Sequence, residues 1–131
     1  MRITIPGQAR SKKNNKRILG RGKKKFIGAS ALYMNWAKKA LKWLSEQDYG
    51  EWEGDYPVEI KFFAIRESKR RFDWDNIIAG SLDIMQQAKI IKQDDMRHVT
   101  PIIQGWSIDK DNPRMEILIQ PASKEYFREN I

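Results

Sequence analysis

Residues 58–80 read VEIKFFAIRESKRRFDWDNIIAG. From Val58 to Ile65 the apolar character is nearly continuous, which predicts a strand placed centrally in a sheet. The pattern then changes to NIIAGSLDIMQQA at 76–88. There Ile77, Ile78, Leu82, Met85 and Ala88 recur at helical spacing, with Asn76, Gly80, Asp83 and Gln87 on the other side. A strand therefore delivers the chain into a helix. At their junction stand Lys69, Arg70 and Arg71, followed by two carboxylates, Asp73 and Asp75.

The flanking sequence supplies the other elements. RITIP alternates polar and apolar residues up to a proline, so residues 2–5 are expected to form a short first strand. Ser30 is a suitable N-cap for ALYMNWAKKALKWLSEQ at 31–47, where Tyr33, Trp36, Ala37, Ala40, Leu41 and Leu44 make an apolar stripe. Trp36 and Trp43 are expected in the core, and Lys38, Lys39 and Lys42 lie off the stripe as a basic surface. MRHVTPIIQGWSI at 96–108, the turn DKDNP and RMEILIQP at 114–121 read as two strands of a hairpin. The order is strand, helix, strand, helix, strand, strand. It predicts a single α+β domain over residues 1–131, a mixed sheet covered by two main helices.

Composition narrows the chemistry. With 131 residues, 40% of them hydrophobic and five Trp, one domain can bury a core. The absence of Cys excludes disulfides, thiolate metal sites and Cys nucleophiles. MRITIPGQAR lacks the apolar segment of a signal peptide, and no apolar run approaches the roughly 20 residues that span a bilayer, so a cytoplasmic protein with no membrane partner is expected.

Charge is segregated along the chain. Residues 1–45 hold 13 Lys or Arg and no acid, and the remainder holds 12 basic and 17 acidic residues, dividing the net +8 into +13 and −5. The clusters SKKNNKR and GRGKKK carry Lys12, Lys13, Asn14, Asn15, Lys16, Arg17, Arg21, Lys23, Lys24 and Lys25. Such clusters gain affinity for a polyanion by releasing its condensed counterions, whatever its base sequence. The segment at about 7–28 is poor in apolar residues and is expected to be a flexible loop that orders on something anionic.

Residues i and i+2 of an extended segment point the same way, so Asp73 and Asp75 are expected to aim at one point. Two carboxylates side by side repel unless a proton or cation lies between them, and a hard divalent ion with oxygen ligands removes that penalty. Mg2+ fits best, with Mn2+ as an alternative. The plainer explanation is that one acid caps the helix while Arg70 and Arg71 neutralise the other. A second acidic pair, Asp94 and Asp95, follows the helix, which is long enough to return the chain toward the same sheet edge.

RRFDWDNIIAGSLDIMQQAKIIKQDD resembles the signature of the RusA-type Holliday junction resolvases, in which D-x-D-N opens a helix and D-D follows it. ITIPGQARSKKNN with its basic loop is similar to that family's first strand and Asn-containing loop. The resemblance implies metal-binding and catalytic acids at Asp73, Asp75 and Asp95, with Asp94 as the alternative ligand and Asn76 as the family's Asn. It also implies a homodimer, since a four-way junction is two-fold symmetric. The expected function is Mg2+-dependent hydrolysis of branched DNA by paired nicks that leave 5′-phosphates, with Lys69, Arg70, Arg71 and the N-terminal cations holding the DNA. The alternative is a module that binds structured nucleic acid without cutting it.

One departure from the pattern is chemical. The family commonly has a Lys four residues after the second Asp, and Ala79 stands there. Lys69, Arg70, Arg71, Lys89, Lys92 or an N-terminal lysine are the candidates to replace it. Asp83, two turns beyond Asn76, either supports the site or solvates its face. The lone His98 reads as a surface or phosphate-contacting residue rather than a general base.

Overall fold

The computed structural model describes residues 1–11, 17–19, 26–28 and 31–123. Its elements are β1 (Arg2–Pro6), β2 (Arg17–Leu19), β3 (Phe26–Gly28), α1 (Ala31–Glu46), β4 (Val58–Arg66), α2 (Trp74–Gln87), β5 (Val99–Ile108) and β6 (Arg114–Pro121). The α+β domain and the order of its principal elements follow the sequence reading. Between β1 and α1 the structure adds a small antiparallel pair, β2 with β3. Of the predicted phosphate-binding residues in this segment, Lys12, Lys13, Asn14, Asn15, Lys16, Arg21, Lys23, Lys24 and Lys25 lie outside the described residues, as does Ser30, and of Arg17 only the backbone is described.

β4 is central, as its apolar run requires. The main sheet has the order β1-β6-β4-β5, with β5 parallel to β4 and β6 antiparallel to it. The expected hairpin of the last two strands is thus corrected: β4 separates β5 from β6. A strand leaving α2 by a crossover lies parallel beside the strand that entered it. The DKDNP turn therefore spans β4 rather than closing a two-strand ribbon.

Alternate residues of β4, namely Val58, Ile60, Phe62 and Ala64, are buried. The register sets Ile3, Ile5, Met115, Ile117 and Ile119 on the same face, which α1 and α2 cover. The α1 stripe is confirmed at Tyr33, Trp36, Ala40 and Leu44. Trp43 is not core; it is 39% exposed and uses its indole N–H to donate to the Thr4 carbonyl at 3.2 Å. It lies one position off the stripe, so its ring edges the sheet instead of entering the core.

On α2, Ile77, Ile78, Leu82 and Met85 are buried as expected, joined by Ile84. Gly80, which the spacing sets on the side opposite the apolar residues, is also buried. A Cβ there would lie 3.1 Å from the Tyr33 ring, 3.2 Å from the Arg10 carbonyl and 3.3 Å from the Trp36 ring, so the missing side chain is what lets α1 approach α2. Tyr33 also donates its hydroxyl to Asp83 at 3.1 Å across the two helices. Burial, and then the Asp83 charge, raise the Tyr33 pKa well above the ordinary phenol value.

α2 ends in a Schellman motif. Lys89 takes φ +60°, its amide donates to Gln86, and the Ile90 amide donates to Met85 at 3.0 Å. Ile90 and Ile91 then plug the core, 3% and 1% exposed, before the chain reaches Asp94 and Asp95.

Candidate active site

The acidic pair sits at the mouth of α2, in a different local geometry from the one the spacing suggested. Only Asp73 is extended, with φ −104° and ψ 122°; the helix starts at Trp74, so Asp75 lies in its first turn. Strand alternation therefore does not align the two acids. Their common location comes instead from the helix N-terminus, whose unsatisfied amides and dipole favour negative charge. Asp73 occupies the N-cap position, yet its carboxylate makes no capping hydrogen bond to the helix. Asn76, placed here by the resemblance, approaches the same carboxylate at 3.5 Å. Asp73 and Asp75 are both exposed.

Asp73 also lines a cleft of about 260 Å³ whose wall runs from Gln8 to Ser11 and from Arg66 to Asp73. Four arginines reach it, Arg10, Arg66, Arg70 and Arg71, against the acids Glu67 and Asp73, so the cleft is net cationic. Two of the three cations predicted on this loop, Arg70 and Arg71, are thus at the site, and Lys69 is exposed between them and β4. Arg66 was missed by sequence reasoning. The available signal was its phase: it continues the buried series Val58, Ile60, Phe62, Ala64 with a charge.

The second acidic pair is elsewhere. β4 and β5 run parallel in register from Val58 opposite Val99 to Arg66 opposite Ile108. Asp95 precedes β5, accepting the Val99 amide at 2.9 Å, whereas Asp73 follows the far end of β4. A strand of this length spans roughly 26 Å, so the two acids belong to opposite ends of the β4–β5 pair. The structure therefore does not bring Asp95 or Asp94 to Asp73 and Asp75 within one chain. Among the described residues no group of three His, Asp or Glu is placed to hold a metal ion. The helix does return the chain, but to the opposite end of the sheet, as a parallel crossover must.

Asp95 is nonetheless held firmly. His98 Nδ1 lies 2.6 Å from its Oδ1, and the Arg97 amide donates to the same oxygen at 3.0 Å. The His98 bond, aided by that amide, holds the Asp95 pKa below the usual carboxylate range. His98 is itself backed by Tyr56, ring centroids 5.1 Å apart, which fixes the imidazole against Asp95. Asp83, the other supporting candidate, accepts from Tyr33 and, at 2.8 Å, from Gln87. It joins the helices about 12 Å along α2 from Asp75 rather than facing the acidic pair. Lys89 and Lys92 lie beyond the C-terminal end of α2, and Lys92 leans on the Tyr56 ring, so neither replaces a cation at Ala79.

The family profile described as Endodeoxyribonuclease RusA matches residues 5–120, from β1 through β6. The chain belongs to the RusA endodeoxyribonuclease family. A relative from Aquifex aeolicus (strain VF5), the crossover junction endodeoxyribonuclease RusA, is 28% identical over 109 residues, covering 83% of this chain and 82% of its own. The RusA match contains the whole cleft wall from Gln8 to Asp73, the mouth of α2, and Asp95. No helix among the described residues is long and apolar enough to cross a membrane.

Proposed function

We propose that this RusA-family protein is a divalent-metal-dependent endonuclease that resolves four-way DNA junctions by paired, symmetric nicks leaving 5′-phosphates. The observation that carries the reading is an N-cap aspartate that does not cap: the Asp73 carboxylate makes no capping hydrogen bond to the start of α2, with Asp75 two residues on and a cationic cleft that Asp73 itself lines. Two exposed carboxylates suit Mg2+, or Mn2+, which takes one or two such ligands and fills its other positions with water and substrate phosphate. When bound, the ion supplies an activated water and neutralises charge on the scissile phosphate. Arg70 and Arg71 hold the adjoining backbone, Asn76 orients Asp73, and Lys69 with the cations of the N-terminal third extends the DNA track. Recognition rests on branch shape and backbone charge, so affinity falls steeply with salt. Such a protein works in the cytoplasm, on DNA.

Paired nicks need two sites, and the position of Asp95 favours a homodimer for a second reason. β5 is an edge of the main sheet and exposes Ile103, Trp106 and Ile108, 50%, 47% and 41% accessible. A two-fold axis pairing this edge with itself runs the two strands antiparallel. Asp95 of the partner subunit then lies at the end of β5 where α2 opens, and can complete the acid set that one chain leaves divided. Asp94 neighbours it without the His98 anchor and is ranked below it as a ligand.

A labelled four-way junction incubated with the protein and Mg2+ should give symmetric nicks, and Asp75→Asn should bind the junction without cutting. The division of the acids within one chain favours a second reading, a protein that binds structured nucleic acid and does not cleave it. Tight junction binding with no product in Mg2+ or Mn2+ would establish that reading instead.

A further inference from the structure

Arg66 places a guanidinium where the preceding inward-facing residues of β4 place hydrocarbon. It is 7% exposed, less than any other charged side chain among the described residues. Its Nη1 donates to the Ala9 carbonyl at 2.7 Å, and its carbon stands 4.6 Å from the centre of the Phe72 ring. Its Nε is buried with no acceptor among the described residues, and no described carboxylate pairs with it. Burial first, and then the Arg10 charge, push its pKa down to about 10, with Glu67 opposing them, so it stays cationic near neutrality. A buried, incompletely bonded cation costs stability and is retained where it meets a ligand.

The surroundings specify what that ligand is. Arg66 lines the cleft together with Arg10, Arg70 and Arg71, and the same cleft ends at Asp73. α2 contains no Lys or Arg, so the helix that carries the acids supplies no cation of its own. A planar guanidinium with an unused donor, flanked by a second one, matches the oxygens of a phosphate.

We propose that Arg66, assisted by Arg10, binds a DNA phosphodiester beside the scissile bond and is the cation that α2 lacks. This deepens the nuclease reading and rests on it for the identity of the phosphate. The Nη1 bond to Ala9 orients the guanidinium, and Arg66 lines the cleft in which the phosphate oxygen is received. Phe72 stacks on it and excludes water, which strengthens the contact.

The test uses inorganic phosphate in metal-free buffer, at ionic strength fixed with NaCl, with the thermal midpoint and amide NMR shifts as readouts. The wild-type chain should be stabilised by phosphate, with shifts concentrated at residues 8–11 and 66–73. Arg66→Gln should lose that response, and Arg66→Lys should keep part of it. On a four-way junction in Mg2+, Arg66→Gln should slow single-turnover cleavage roughly 100-fold while weakening junction binding only a few-fold. Arg10→Gln, at a partly exposed position, reads the same effects if Arg66→Gln does not fold. A wild-type chain indifferent to phosphate, or a folded Arg66→Gln that still responds to it, overturns the proposal. Cleavage at the wild-type rate by folded Arg66→Gln sinks it while leaving the nuclease reading intact. Phosphate binding through Arg66 in a protein that never nicks sinks the nuclease reading alone.

Discussion

Replacing Asp73 by Ala separates a metal site from a helix cap. If the carboxylate capped α2, its removal would cost about 1 kcal/mol, with an upper range near 2. The observed N-cap makes no capping hydrogen bond to the helix, so the helix start loses its attraction to the dipole, about 0.5 kcal/mol, together with the long 3.5 Å contact from Asn76. Relief of repulsion with Asp75 offsets part of that. Asp73→Ala and Asp73→Asn should therefore lie within about 0.5 kcal/mol of wild type in metal-free buffer. Mg2+ changes the comparison. At a concentration about tenfold above its dissociation constant, the ion should stabilise the wild type by roughly 1.4 kcal/mol, or about 4 °C in the midpoint for a chain of this size. Both variants should gain almost nothing. Urea unfolding followed by Trp fluorescence, with and without MgCl2 at matched ionic strength, reads both quantities. A metal-free loss above about 1.5 kcal/mol, together with equal Mg2+ effects on variant and wild type, would refute the reasoning and return Asp73 to capping.

Three further outcomes follow from the packing around the site. Gly80→Ala gains about 1 kcal/mol of helix propensity but meets three close contacts, so thermal unfolding should show a net loss near 1 kcal/mol. Cleavage should fall further than stability, because the displaced Arg10 carbonyl belongs to the cleft wall. Lys89→Gly should raise stability by about 0.5–1 kcal/mol in urea titration, since φ +60° suits glycine and strains lysine. Tyr33→Phe should cost about 1 kcal/mol at neutral pH. Tyr33 has a raised pKa when folded, so its contribution is complete below the unfolded value near 10 and is lost as pH rises above it. Urea midpoints at pH 9 and 11 should therefore fall more steeply for wild type than for Tyr33→Phe.

Local chemistry in the sequence carried most of the fold. The apolar run of β4 and the helical phases of α1 and α2 are properties of neighbouring residues, and each element formed close to where its pattern lies. Strand partnership is not local: β5 and β6 look like a hairpin because a turn joins them, yet crossover geometry sets β5 on the other side of β4. The site divided in the same way. The mouth of α2 is readable from D-x-D-N, where charge meets the start of a helical pattern. The placement of Asp95 is not, because a count of residues does not say which end of a parallel strand the chain has returned to. Arg66 escaped notice because one charge closing an apolar run looks like a boundary, whereas its phase puts it inside.

The central claim is that Asp73 and Asp75 act with an Asp95 that their own chain holds a strand's length away. Asp75→Asn and Asp95→Asn should each abolish junction nicking when assayed separately in Mg2+. After their subunits exchange freely, about half the dimers are mixed and each mixed dimer has one intact site of two, so nicking should recover to roughly a quarter of the wild-type level. A mixture as inactive as either variant by itself, or full cleavage by Asp95→Asn, would contradict the shared site.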